Sequence, residues 1–195
     1  MPPYRRETVQ RYQFRGDRVR SAAAFCLLCA GLGYVPTALE AGPYGKLFLP
    51  QGSLHFNMSH SGPHVAAAFS AGAVGVDVET LPDAYEDIMP QVFTQAEICG
   101  VLASANPQRS FCALWTLKES YVKALGLGFS FPAKQVEFAM HGDEYRCTDP
   151  GFAFSRFSLA DGELSVCTNT ACTLETLELA GLCALWERAV QAVWL

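Results

Sequence analysis

Residues 114–127 read Leu-Trp-Thr-Leu-Lys-Glu-Ser-Tyr-Val-Lys-Ala-Leu-Gly-Leu. The pattern predicts a long helix over 108–125, with Glu119 and Lys123 one turn apart on the same face. Such a pair usually contributes only about 0.2–0.5 kcal/mol of helix support. Here the neighbouring positions are largely apolar, which indicates burial, and a buried acid and base need compensating partners. We therefore take this helix as the first candidate for chemistry.

A second charged pattern lies upstream, in Gly-Val-Asp-Val-Glu at Gly75–Glu79. It predicts a strand with Asp77 and Glu79 on one side and valines on the other. One interpretation is a pair of acids on a solvated edge. The other is a magnesium site, because a cation between two close carboxylates removes their repulsion. Together with Glu119 and Lys123, these are the groups with which a divalent metal bridges phosphate oxygens.

The segment Asn-Met-Ser-His-Ser at Asn57–Ser61 is the third candidate. We predict strands at 54–58 and 65–70, linked by a turn at 59–63. In one interpretation the Ser and His side chains only bond to the local backbone. In the other, His60 donates to a phosphate, assisted by Ser59 and by exposed N–H groups of the turn. A Ser–His nucleophile is disfavoured because no Gly-x-Ser-x-Gly elbow is present.

Composition narrows the class of protein. The chain has 195 residues, of which 50% are hydrophobic and 17% charged, so it should bury a sizeable core. A net charge of −5 argues against nucleic-acid binding through phosphate neutralisation. Arginines nevertheless crowd the first twenty positions, which is typical of a solvated helix face or of a site for an anionic ligand.

Compartment and membrane association follow from cysteine usage and hydropathy. Most of the eight cysteines lie in apolar segments, and the pair Cys26-x-x-Cys29 has no second pair at zinc-ligand spacing. The start of the sequence lacks the layout of a signal peptide, and no apolar run is long enough to span a bilayer. We therefore expect a cytoplasmic protein with reduced thiols and no membrane partner.

The order of elements predicts an α+β fold in two similar halves joined near residues 71–74. The first half holds a helix at 16–31 and the two strands already described. The second half opens with the Gly75–Glu79 strand and continues with a helix at 94–103, for which Thr94 and Glu97 make a capping box. Further elements are strands at 135–140, 152–159 and 163–168, a possible strand at 174–180, and a terminal helix.

Four motifs in one order distinguish this chain from a generic α+β domain, and together they resemble the Sfp-type 4′-phosphopantetheinyl transferases. The resemblance extends from about Arg5 to Pro132 and thins out afterwards. The motifs are Phe56–Gly62, Gly75–Glu79, Phe93–Glu97, and Leu114–Ser120 followed by Lys123 and by Gly126-x-Gly128.

The resemblance implies a pseudo-dimeric fold with an N-terminal half over 1–74, a C-terminal half over 75–195 and coenzyme A in the cleft between them. The implied enzyme is a phosphopantetheinyl transferase of the holo-[acyl-carrier-protein] synthase type, acting as a monomer. It moves the 4′-phosphopantetheine group from coenzyme A to a serine hydroxyl of an apo acyl or peptidyl carrier protein and releases adenosine 3′,5′-bisphosphate.

The resemblance also assigns roles around the diphosphate. Asp77, Glu79 and Glu119 would hold Mg²⁺, while Lys123 and His60 would neutralise phosphate oxygens, with Ser59 beside them. Glu119 or a metal-bound water would take the serine proton. Glu97 would orient Lys123 or the metal ligands, or would serve only as the capping acid. Carrier choice would depend on an apolar surface in the 80–95 loop, formed by Ile88, Met89, Val92 and Phe93.

For the nucleotide end of coenzyme A, the resemblance places Arg5, Arg20 and Ser21 at the 3′-phosphate. Tyr44, Gly45 and Lys46 would line the adenine, since a glycine beside an aromatic ring allows close backbone approach.

The sequence departs from the family pattern at three places. Thr8 and Leu47 stand where the family often has lysine and proline. Family members also carry a further strand before the region that Met1–Arg6 matches. We therefore expect a shortened N-terminal half with an incompletely paired sheet edge.

Two other functions use similar residues. A metal-dependent phosphohydrolase acting on a nucleotide or coenzyme A would also need clustered acids and a lysine, but it gives no reason for the early arginines or the Tyr-Gly-Lys turn. A non-catalytic coenzyme A-binding domain has no need of acids that are costly to bury.

Overall fold

The computed structural model describes residues 1–50, 52–142, 144–149, 151–170 and 172–191, and it has an α+β fold. Within these residues, no helix combines the length and apolarity needed to cross a bilayer. The helices are α1 Pro3–Gln10, α2 Arg15–Leu32, α3 Met89–Val92, α4 Gln95–Ala103, α5 Pro107–Leu125 and α6 Leu179–Gln191. The strands are β1 Glu40–Ala41, β2 Leu47–Phe48, β3 His55–Ser61, β4 His64–Ser70, β5 Val74–Thr80, β6 Phe138–His141, β7 Glu144–Cys147, β8 Ala153–Ser158 and β9 Gly162–Thr168.

Helix α5 is the central element, and its predicted extent is confirmed. The Asn106 side chain accepts a hydrogen bond from the Arg109 N–H at its start, and Gly126 ends it in the left-handed conformation at φ 72°. The helix packs directly on β5 and β9. Gly75 makes this possible, because a Cβ there would lie 2.0 Å from the Ser120 carbonyl oxygen and 2.4 Å from the Ala124 nitrogen.

Strand β5 lies between two different neighbours. On one side it pairs antiparallel with β9, and β8 completes a sheet in the order β5-β9-β8. On the other side it faces β3, which pairs with β4 in a separate antiparallel hairpin. The predicted turn at 59–63 is wrong. The strand continues through Ser61 and the chain reverses at Gly62 and Pro63, where Gly62 has φ 52°.

Two clusters of buried side chains hold the molecule together on either side of these strands. One surrounds α5 and includes Phe93, Leu114 and Phe138. The other joins α2 to β3 and to the C-terminal helix through Phe25, Phe56 and Ala189. Helix α6 thus packs on the N-terminal half, although it comes last in the chain. The division into halves at residue 74 stays a prediction.

This packing corrects two predictions from the sequence, one of a strand at 174–180 and one of a docking surface that includes Met89 and Phe93. Residues 174–178 are irregular and α6 begins at Leu179, so the possible strand at 174–180 is wrong. Met89 and Phe93 are buried in the core and cannot form a docking surface, whereas Ile88 is exposed. In the described part of the chain, β4 pairs with β3 alone. A largely apolar cavity of about 570 Å³ lies along β4, between α2, β5 and β9.

Candidate active site

Asp77 is the most deeply buried acid of the site. It lies in the middle of β5 with 2% of its surface exposed. Its Oδ1 accepts hydrogen bonds from Lys123 Nζ at 2.5 Å and from Ser59 Oγ at 2.9 Å. Its Oδ2 is buried and has no hydrogen-bond partner among the described residues. Burial raises the pKa of Asp77, and the Lys123 ammonium offsets part of that rise.

Glu79 and Glu119 bring two further carboxylates to the same place. Ser61 Oγ donates to Glu79 Oε2 at 2.5 Å. Burial raises the pKa of Glu79, and the Asp77 charge raises it further. The pKa of Glu119 is also raised, first by burial and then by the charges of Asp77 and Glu79. Strand β5 and helix α5 therefore bring together three acids that repel one another.

Lys123 bridges the helix and the strand. Its ion pair with Asp77 connects α5 to β5, so the ammonium does not serve only as a partner for Glu119 one turn away. Its Nζ also donates to Ser59 Oγ at 3.1 Å. The side chain remains 29% exposed, so the charge is accessible from outside. An ammonium in this position can neutralise an anionic ligand as well as Asp77.

The donor set suits a hard divalent cation in its chemistry. Carboxylate oxygens are the ligands that Mg²⁺ prefers, and the partnerless Asp77 Oδ2 is a buried acceptor that a cation would satisfy. The three acids are not already gathered at ligand spacing, since no group of three His, Cys, Asp or Glu side chains in the described ranges forms a metal cluster. The residues thus fit a magnesium ion in the chemistry of their donor atoms, while the role of Asp77, Glu79 and Glu119 as its ligands stays a prediction.

His60 lies beside this cluster, on strand β3 and not on a turn. It stands opposite Val65 of β4 in the hairpin register, and the chain reverses only after it, at Gly62 and Pro63. Burial lowers the pKa of His60, and the nearby Arg20 charge lowers it further. Arg20 donates to the Gly62 carbonyl oxygen at 3.3 Å and pairs with Asp17 at 2.7 Å. Burial and the guanidinium charge thus both disfavour the protonated form of the imidazole.

Arg5 and Ser21 are brought together as the resemblance implied, although in a buried setting. Arg5 Nη2 donates to the Ser21 carbonyl oxygen at 2.8 Å and to Ser21 Oγ at 2.7 Å. Its guanidinium lies over the Phe25 ring, and its Nε is buried without a hydrogen-bond partner among the described residues. Arg5 thus also helps to hold α1 on α2.

The Tyr44–Lys46 segment lines a cavity of about 270 Å³. Lys46 Nζ donates to the carbonyl oxygens of Val74 and Ala124, at 2.9 and 2.8 Å, which ties the segment to the end of α5. Lys123 lines the same cavity, and so does the Gly126-x-Gly128 turn. Lys123 therefore lies between the predicted adenine segment, whose cavity it lines, and Asp77, with which it pairs.

Sequence reasoning missed a fully buried lysine on α5. Lys118 has no exposed surface and pairs at 2.8 Å with Glu97, which is 2% exposed. Lys118 also donates to the carbonyl oxygens of Ala133 and Val136. The capping role of Glu97 is confirmed, whereas its predicted role of orienting Lys123 is wrong, because its cationic partner is Lys118. The spacing gave no signal for this pair, since the two residues lie on different helices.

Within this α+β frame, a partly buried acidic cluster is joined by Lys123 to a neighbouring cavity. A comparison with known families gives the class of protein. The model of the 4′-phosphopantetheinyl transferase superfamily matches residues 73–173, just over half of the chain. The chain belongs to this superfamily.

Individual relatives agree with this assignment. The chain is 30% identical to a 4′-phosphopantetheinyl transferase of Bacillus subtilis over 145 residues, covering 72% of this chain and 62% of the relative. It is 34% identical to the Sfp transferase of Bacillus subtilis strain 168 over 103 residues, covering 51% and 46%. The chain thus spans about half the length of the curated relatives it matches. The Thermotoga maritima holo-[acyl-carrier-protein] synthase structure has a TM-score of 0.43 at 21% identity, over 49% of this chain and 61% of that one, which is too partial a likeness for an argument.

Proposed function

We propose that this protein transfers the 4′-phosphopantetheine group from coenzyme A to a serine hydroxyl of an apo acyl or peptidyl carrier protein and releases adenosine 3′,5′-bisphosphate. The observation that carries the proposal is the position of Lys123. Its ammonium contacts the buried Asp77, and the same residue lines the cavity of Tyr44–Lys46. A ligand with an adenine at one end and a diphosphate in the middle matches such a layout.

Asp77, Glu79 and Glu119 would hold Mg²⁺ on the diphosphate, where the ion supplies charge neutralisation as a Lewis acid. In the proposed complex, Lys123 and His60 bind the phosphate oxygens on which negative charge builds up. Because burial and Arg20 keep His60 neutral in the free protein, binding an anion there would favour proton uptake by the imidazole.

Glu119 is our candidate for the acceptor of the serine proton. The neighbouring acids and burial raise its pKa, which brings it closer to the operating pH and improves it as a general base. Removal of the proton makes the serine oxygen a better nucleophile towards the phosphorus.

At the nucleotide end, Arg20, Arg5 and Ser21 would receive the 3′-phosphate, and Tyr44, Gly45 and Lys46 would line the adenine. Of the two arginines, Arg20 is the more accessible, while Arg5 is buried and already bonds to Ser21. Of the residues predicted to form the docking surface for the carrier protein, Ile88 is exposed and Val92 is half-buried, so these two are the ones that we retain. We further propose that the protein works as a monomer in the cytoplasm.

The test is an intact-mass experiment. Purified protein is mixed with coenzyme A, Mg²⁺ and each of several apo carrier proteins, and the mass of the carrier is measured. We expect the carrier to gain one phosphopantetheine group, and to gain none when its acceptor serine is replaced by alanine. Release of free phosphopantetheine without carrier modification would favour a phosphohydrolase, and tight coenzyme A binding without either product would favour a non-catalytic binding domain.

A further inference from the structure

The seam between β5 and β3 is built from side chains, whereas the seam between β5 and β9 is an ordinary backbone ladder. Three alternate N–H groups of β5 donate to three alternate side chains of β3. Val76 N donates to Asn57 Oδ1 at 2.9 Å, Val78 N to Ser59 Oγ at 3.4 Å, and Thr80 N to Ser61 Oγ at 3.3 Å. The side chains stand in for the carbonyl groups of a neighbouring strand.

The hydroxyl groups of Ser59 and Ser61 also donate hydrogen bonds. A hydroxyl has one proton to donate and two lone pairs that accept, so an Oγ that accepts from a backbone N–H can still donate elsewhere. Ser59 donates to Asp77 and Ser61 donates to Glu79, in each case to the residue before the N–H that it accepts. The repeated pattern aims each hydroxyl proton at one of the two acids of β5.

The acids depend on these hydroxyls to different degrees. Asp77 also has Lys123 as a partner, so its carboxylate is held from two sides. In the described part of the chain, Ser61 is the only side chain that hydrogen-bonds to the Glu79 carboxylate. Glu79 has a longer and more flexible side chain than Asp77, and it is repelled by the Asp77 charge. Without the hydroxyl it would therefore turn away from the other acids.

We propose that Ser61 is a positioning residue, which holds the Glu79 carboxylate towards Asp77 and so sets the affinity of the acidic cluster for a divalent cation. The inference rests on the proposed function, in which that cation is Mg²⁺. Partners that orient a metal ligand typically contribute about 10- to 100-fold to metal affinity. Ser61 reaches Glu79 across the seam, so the N-terminal half takes part in metal binding without supplying a ligand.

Two substitutions of the same shape isolate the hydroxyl: Ser61→Thr keeps it and Ser61→Val removes it. Both side chains favour a strand, so folding should be affected similarly. Binding of Mn²⁺, in the presence of coenzyme A, is followed by the loss of the free-ion signal in electron paramagnetic resonance, which requires no turnover. We expect Kd for Mn²⁺ to rise about tenfold or more in Ser61→Val and to stay close to the wild-type value in Ser61→Thr.

Ser70→Ala is the matched control. Ser70 is a buried serine of the same hairpin, and its hydroxyl contacts Thr168 and Gly72, away from the acids. Its removal should lower thermal stability and leave Kd for Mn²⁺ unchanged. If Ser61→Val does not fold, the smaller Ser61→Ala takes its place.

Two negative results have different meanings. Equal Mn²⁺ affinity in the threonine and valine variants, with wild-type binding intact, would overturn the role of Ser61 and leave the proposed function standing. A wild-type protein that binds no Mn²⁺ beside coenzyme A would overturn the proposed function and this inference with it. Steady-state kinetics add a second readout, because the valine variant should show a higher KM for Mg²⁺ and a kcat that recovers at saturating Mg²⁺.

Discussion

The predicted N-terminal half (1–74) and the predicted C-terminal half (75–195) differ in how they hold their charged residues. The C-terminal half buries its acids in a framework of α5 and the β5-β9-β8 sheet, in which most contacting side chains are apolar and closely packed. The N-terminal half carries its arginines on two helices beside a two-stranded hairpin. Repelling carboxylates need a rigid frame to stay together, whereas long guanidinium side chains can reach an anion from a looser one.

The largest effect should come from a substitution that destabilises the packing around α5 and leaves Asp77, Glu79 and Glu119 unchanged. Lys118→Met leaves Glu97 buried and unpaired, and loss of one partner of a buried ion pair destabilises a protein by about 3–5 kcal/mol. Urea unfolding measures the change. Lys134→Met is the control, since Lys134 is exposed and should shift the free energy of unfolding very little. A loss in Lys118→Met no greater than that of the control would contradict this account of the frame.

The next effect separates catalysis from stability within the acidic cluster. Glu119→Gln removes a proposed metal ligand and proton acceptor, so phosphopantetheine transfer should fall about 100-fold or more, equivalent to about 2.7 kcal/mol. The variant also loses one of three repelling charges, so its Tm without divalent metal should equal or exceed that of the wild type. Carrier modification and thermal unfolding measure the two quantities.

Glu187→Gln, on an exposed helical position of α6, is the matched control and should change neither quantity. A clear drop in Tm of Glu119→Gln would assign Glu119 to the fold and not to the chemistry.

In the N-terminal half we expect a smaller effect, on binding. Arg20→Ala removes an accessible cation next to His60 and should raise KM for coenzyme A about tenfold, with kcat little changed. Arg15→Ala, an exposed arginine at the start of α2, is the control. Arg5→Ala should differ from both by also lowering Tm, because Arg5 is buried against Ser21 and Phe25. An unchanged KM in Arg20→Ala would remove it from the nucleotide site.

The smallest expected effect is a pH dependence of stability that arises from the three acids of β5 and α5. The pKa values of Asp77, Glu79 and Glu119 are raised in the folded protein, so folding favours their protonated forms. Their contribution to stability is therefore fully present below the ordinary values of 3.8 and 4.5 and is lost as pH rises through the raised values. Without divalent metal, the wild type should lose stability over that interval relative to Glu119→Gln.

Added Mg²⁺ should reduce this loss, because it favours the charged forms. Thermal unfolding at several pH values, with a chelator and with Mg²⁺, makes the comparison. Parallel curves for the wild type and Glu119→Gln under both conditions would show that the three acids do not interact.

Local sequence patterns were sufficient for the framework of the site. The alternation at Gly75–Glu79 and the spacing in 114–127 identified β5 and α5 with their charged faces. Local patterns could not predict that Lys123 pairs with Asp77. They relate Lys123 only to residues close in sequence, such as Glu119 one turn away, whereas Asp77 lies on another element. The same reason hid the pair of Lys118 and Glu97.

Two elements were misjudged because their environment is non-local. Ser59 and Ser61 are typical of a turn, but N–H groups of β5 hold them in a strand. The segment at 174–180 cannot extend the sheet at β9, because β5 and β8 occupy both edges of that strand. Residues 179–191 instead form helix α6, which packs on α2.

Gly75 carries no functional group, yet a substitution at this position would change the distance between α5 and β5. The smallest addition, a methyl group, would meet the backbone of α5 at Ser120 and force the helix away from the strand. Glu119 lies on that helix and Asp77 on that strand, so their separation would grow although neither residue had changed. An inherited Gly75→Ala substitution would therefore act as a lesion of the active site while leaving every charged residue intact.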